Sequence, residues 1–154
     1  FFDEPVEVSS WQSRRYVPAY RSWGNEQEWE QSGPQFVQPR RGARYLGPLV
    51  VLTGPATYSS AEDFLVPLSY SKRAVLVGGA TAGSTGNPIY VDLPRGGKFR
   101  VVSKRDVFPD GTEFVGYGIA PDVAVAPTQV DLFEGRDPVL EAGINAIKSW
   151  TSHG

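Results

Sequence analysis

"PLVVLTGPATYSSAEDFLVPLSYSKRAVLVGG", Pro48 to Gly79, decides how this chain is read. Its two ends, residues 48–54 and 73–79, are short continuous aliphatic runs, the pattern of strands buried on both faces. The stretch between them, "SSAEDFLVPLSYSK", predicts a helix with Phe64, Leu65 and Leu68 on one face, which Pro67 is expected to kink or end. Strand, helix, strand in that order is a βαβ unit, so the two strands run parallel.

Working outward, "ATAGSTGNP" (80–88) is a glycine-rich loop, and "IYVDLPRGGKFRVVSKRD" (89–106) reads as two strands around the turn "PRGG". "FPDGTEF" holds an Asp-Gly turn, and "GYGIAPDVAVAPT" leads into a short strand. The last element is a helix capped by Asp137 with Pro138 at its first position. Its stripe of Leu140, Ile144, Ile147 and Trp150 reads as core packing, with Gly143 as an internal weak point. Upstream, "VEVSSWQSRRYVPAY" predicts an extended strand. Residues 21–47 show neither a period of 2 nor of 3.6 and read as a long irregular loop, which Trp11, Trp23 and Trp29 should hold against the body. The expected organisation is one domain. An irregular or extended segment, 1–46, packs on a core, 47–154, of class α/β with a mixed sheet and few helices.

Composition narrows the function. The net charge of -2 and the pI of about 5.4 argue against nucleic acid or an anionic membrane as the main partner. No apolar run approaches the ~20 residues of a membrane span. With no Cys and one His, neither a disulfide frame nor a metal-ligand cluster is expected. The glycine-rich loop lacks the G-K-[ST] of a phosphate-binding loop, so no cofactor is expected either. The chain has no Met and opens on Phe1, which suggests a piece or processed form of something longer.

The adjacent serines at the predicted strand-to-helix junction have two readings. Ser59-Ser60-Ala61-Glu62 is S-x-x-E, a capping box in which Ser59 and Glu62 satisfy each other's backbone amides. Alternatively, the Ser59 hydroxyl projects into a cleft at the strand's C-terminal end, as a nucleophile. There the unpaired amide of Ser60 and the positive helix end could stabilise an oxyanion.

Four stretches in order resemble the C-terminal part of the S41 peptidase family, which includes the tail-specific processing proteases and the tricorn core protease. They are "YLGPLVVLTGPATYSSAEDF", "RAVLVGGATAGSTG", "FPDGTEFVGYGIAPDVAV" and "GRDPVLEAGINAI", spanning about Tyr45 to Ile147. The resemblance implies a ClpP/crotonase-like core and a peptide or protein substrate. It implies Ser59 as nucleophile, the Ser60 amide as oxyanion donor, and Ser84 and Thr85 in the cleft. It suggests an extracytoplasmic location, on which composition is silent, and leaves an oligomer open.

The general base is where the sequence departs from the family. Processing proteases of this kind carry a lysine twenty-five positions after the serine; here that position is Ser84. Lys98 and Lys104 read as solvated strand charges. The tricorn-like branch takes a His from far upstream, and the one His of this chain, His153, reads as a tail residue. Relatives carry a Glu just before the G-x-G-I-x-P-D element; here Val115 stands there. Glu113, two positions earlier on the same strand face, is either the acid or an exposed strand residue. Asp122 reads as a turn residue, and Glu62 and Asp63 as favouring the helix N-terminus. The expectation is a tricorn-like serine endopeptidase whose base lies on an upstream part, the chain alone being inactive. The rival readings are a catalytically dead ligand- or protein-binding module and a Ser–Lys protease using another lysine.

Overall fold

The two aliphatic runs pair in parallel in the computed structural model, which describes residues 1–151. In chain order the strands are β1 (Val6–Glu7), β2 (Ser10–Arg15), β3 (Glu28–Gln31), β4 (Phe36–Val37), β5 (Val50–Thr53), β6 (Val75–Gly78), β7 (Pro88–Asp92), β8 (Lys98–Val102), β9 (Arg105–Val107) and β10 (Val123–Ala124). The helices are α1 (Pro18–Trp23), α2 (Ser60–Tyr70), α3 (Gln129–Phe133) and α4 (Pro138–Thr151). The result is a mixed α/β fold with few helices, in which parallel and antiparallel pairing are divided among four small sheets. No described helix is long and apolar enough to cross a membrane.

The βαβ unit is β5–α2–β6, with Val50 opposite Val75 and Thr53 opposite Gly78. β10 adds to the far side of β6, also in parallel. Asp122 fixes that join: its amide donates to the Leu76 carbonyl, and its Oδ2 accepts from the Leu76 amide, both at 2.8 Å. The centre of the core is Leu65, Val66, Leu76, Phe114 and Ile119, each at most 2% exposed. Burial on that scale contributes about 1.5–3 kcal/mol per large side chain. It also explains why Pro67 neither ends nor breaks α2. Leu65 to Leu68 are all buried, and tertiary packing outweighs the helix bond that the proline lacks.

β7 and β8 form the predicted hairpin around a single 3-10 turn, Pro94–Gly96. The Asp110-Gly111 turn forms too: Asp110 Oδ1 accepts from the Thr112 amide at 2.9 Å, and Gly111 has φ 84°.

The extended strand expected over residues 6–20 is instead β1 and β2, with α1 opening at Pro18, whose fixed φ suits a first helical position. Two larger expectations fail. Residues 21–47 are not one irregular loop. β3 pairs antiparallel with β2, and β4 with β1. β3 gives no alternation because all four of its residues are exposed, so no buried face imposes a period of two. Trp29 is held by cations rather than by apolar neighbours, with the Arg105 guanidinium 4.5 Å from its ring centroid; Trp23 stays 70% exposed. The second failure is α4. Its cap is as expected, Asp137 Oδ1 accepting from the Leu140 amide. Its stripe of Leu140, Ile144, Ile147 and Trp150, however, is 40–46% exposed rather than in the core. The helix meets the sheet through Gly143 instead, where an added Cβ would come within 2.8 Å of Leu52 Cδ2.

Candidate active site at the strand-to-helix junction

β5 delivers the chain to a tight turn. The Thr57 amide donates to the Gly54 carbonyl and the Gly54 amide to Thr57 Oγ1, and α2 begins at Ser60. Ser59 is the pivot. Its backbone stands at φ 58°, ψ −130°, a conformation L-residues avoid and one that costs on the order of 1–3 kcal/mol. Of the other non-glycine residues with positive φ, none adjoins a helix start at the C-terminal end of a parallel strand. A strained residue at a sharp strand-to-helix turn is a feature shared with nucleophile elbows, here without their flanking glycines.

Ser59 and Glu62 take up the capping-box arrangement. Glu62 Oε2 accepts from the Ser59 amide at 3.2 Å. The Ser59 side chain sits in the box arrangement but makes no capping hydrogen bond, because the Glu62 amide donates to the Ser59 carbonyl at 2.7 Å instead. Ser59 borders a cavity of about 40 Å³, room for roughly one water-sized group. Tyr58, Ser84 and Thr85 line one side of it, and Pro88, Arg100 and Val102 the other. The amide of Ser60, at the positive end of α2, finds no acceptor among the described residues.

What holds the junction is Glu62, which reaches the Ser59 amide as a capping box predicts and binds the glycine-rich loop as well. Its carboxylate is wholly buried and accepts four hydrogen bonds. Thr81 Oγ1 (2.6 Å) and the Gly83 amide (2.7 Å) meet Oε1. The Ser84 amide (2.9 Å) and the Ser59 amide meet Oε2. The glycine-rich loop is thus bound to the serine turn through one side chain. Backbone bonds reinforce it, from Ser59 to the Ser84 carbonyl and from Ala82 to the Thr57 carbonyl, both at 2.9 Å. Gly83 is required in that loop. At φ 62°, a Cβ would strike the backbone of Phe114, Tyr117 and Gly118.

The remaining candidates separate. Ser84 reaches the cavity beside Ser59. Thr85 also lines it, but its hydroxyl leans back to Asp63 Oδ1 at 3.4 Å. The Asp63 carboxyl is raised above its ordinary value, first by burial and then by the negative charge of Asp106. Glu113 is not among the groups lining the cavity; it pairs with Arg105 at 2.7 Å where an isolated bridge joins it to Val107. Lys98 is an exposed strand charge, paired with Asp92. Lys104 is not, since its ammonium sits 2.6 Å from the buried carboxylate of Asp106 and its side chain is only 21% exposed. His153 lies outside the described residues. Among the residues lining the cavity there is no His, Lys, Asp or Glu.

A family model described as peptidase family S41 matches residues 1–125. A candidate peptidase from Parabacteroides merdae superposes with a TM-score of 0.76 at 26% identity, over 96% of this chain and 44% of that one. Mature CPAF gives 0.72 at 19% identity, over 97% and 40%. The tricorn protease gives 0.58 at 23% identity, over 73% and 12%. The chain spans less than half the length of each of these, and the last two are likenesses of fold alone.

Proposed function

The chain belongs to peptidase family S41, and from that premise we propose that it carries the nucleophile of a serine peptidase, Ser59. The observation that carries the proposal is the strained backbone of Ser59 at the edge of a cavity, with no hydrogen bond from the helix to its hydroxyl. Strain of this kind persists where the surroundings over-determine it, and here Glu62 and the loop it binds do so.

In the reaction, Ser59 Oγ attacks the carbonyl carbon of a peptide bond and loses its proton to a general base. The negative charge gathering on the carbonyl oxygen is met by the Ser60 amide and the N-terminal end of α2. The amine leaves with a proton, and water then hydrolyses the ester on Ser59. We assign the base to a part of the protein outside this chain: among the described residues no basic group that can accept the proton lines the cavity, and the matched neighbours are more than twice as long. Ser84 occupies the place where processing proteases carry lysine, which favours the tricorn-like branch. The chain by itself should not turn over substrate.

The test is a fluorophosphonate probe on the full-length protein. Labelling that vanishes in Ser59→Ala and survives in Ser60→Ala, which keeps its amide, supports the assignment. No labelling in the native protein, or equal labelling in both variants, removes it. The absence of a base in the cavity then favours the second reading, a ligand- or protein-binding module with a dead site.

A further inference from the structure

The β7–β8 hairpin turns one face toward Ser59, and that face carries an unpaired cation. Pro88 pairs with Val102 and Tyr90 with Arg100. Alternation along the strands puts these four side chains on one side of the hairpin. Pro88, Arg100 and Val102 line the same cavity as Ser59. A substrate chain that brings its carbonyl carbon to Ser59 therefore passes along this face. The Pro88–Val102 rung stands beside the nucleophile, and the Tyr90–Arg100 rung follows one same-face step away, about 7 Å. The next rung, Asp92–Lys98, closes its own ion pair at 3.7 Å. Arg100 has no carboxylate or carbonyl partner among the described residues.

A guanidinium is a rigid fork that matches a carboxylate. We propose that Arg100 selects a substrate carboxylate within about two residues of the bond that Ser59 attacks, given 3.3 Å of extended chain per residue. This rests on the peptidase reading above. The carboxylate is supplied by an acidic side chain or by a free C-terminus. Because the guanidinium is largely exposed, the preference should be modest and screened by salt.

The experiment uses the full-length protein and two peptide series that differ only in Glu against Gln near the cleaved bond, each with a free and an amidated C-terminus. Cleavage is read as kcat/KM, and binding to the Ser59→Ala variant by fluorescence polarisation. The expected result is a three- to tenfold preference for the carboxylate-bearing peptide. Arg100→Ala abolishes it, Arg100→Glu reverses it, and Lys98→Ala leaves it intact. Glu over Gln points to the side chain as the source, and free over amidated to the C-terminus. Equal handling of all four peptides, or a preference that survives Arg100→Ala, overturns the proposal. Binding that shows the Arg100-dependent preference without any cleavage keeps this proposal and sinks the peptidase one.

Discussion

Replacing Glu62 by Gln tests whether one buried carboxylate holds the serine turn and the glycine-rich loop together. The substitution keeps shape and one acceptor oxygen. The better orientation keeps that oxygen at the Oε1 position, where Thr81 Oγ1 and the Gly83 amide donate. The new NH₂ group then points at the Ser84 and Ser59 amides, donor against donor. Ser59 retains its bond to the Ser84 carbonyl; Ser84 loses its only amide acceptor. Two charge-assisted bonds at about 1.5–3 kcal/mol each are lost, and the other two weaken to neutral ones. The sum is at least about 3–6 kcal/mol, a large part of a typical 5–15 kcal/mol of stability. Urea unfolding followed by tryptophan fluorescence should show a midpoint lower by about 2 M for a slope near 2 kcal/mol/M. At sub-denaturing urea, fluorophosphonate labelling of Ser59 in the full-length protein should slow by at least about tenfold, because the turn relaxes. A midpoint shift under about 0.3 M with an unchanged labelling rate would refute the reasoning, and Glu62 would be an incidental buried acid.

Gly83→Ala should lower the melting temperature by about 5 °C or more, since a residue at φ 62° must also push into the backbone at Phe114 and Gly118; a calorimetric scan checks it. Asp63→Asn should make the protein more stable at pH 7. The raised carboxyl binds its proton more tightly in the folded than in the unfolded chain. Stability therefore falls as pH rises from 3.8 through the folded value, and the cost of the charge is fully present above it. The gain from Asn should shrink toward zero below pH 3.8, and urea midpoints measured across that range would show it.

The βαβ unit was legible because its signals are local: two aliphatic runs, a helix with one apolar face, and turn residues between them. Ser59 was singled out by the same junction. The part of Glu62 was not, since Gly83 and Ser84 lie about twenty residues away, and nothing in S-x-x-E tells an exposed cap from a buried anchor. The pairing of β3 with β2 escaped for a related reason. Its stabilisation comes from main-chain bonds and from arginines over Trp29, neither of which leaves a hydrophobic rhythm. The apolar stripe of α4 misled, because periodicity reports that a face is apolar and not what covers it. Lys104 read as a surface charge because its buried partner, Asp106, is two positions along the same edge, where alternation alone puts both side chains on one face without saying which face is inside.

The left-handed backbone at position 59 sets two demands against each other. Glycine would occupy that conformation without steric penalty, so Ser59→Gly should yield a sturdier molecule that has lost its hydroxyl. Random drift filtered for thermal resistance alone would push this residue toward glycine, and selection for chemistry would push it back. A library sorted both ways would therefore reveal at this one codon which pressure the protein has answered to.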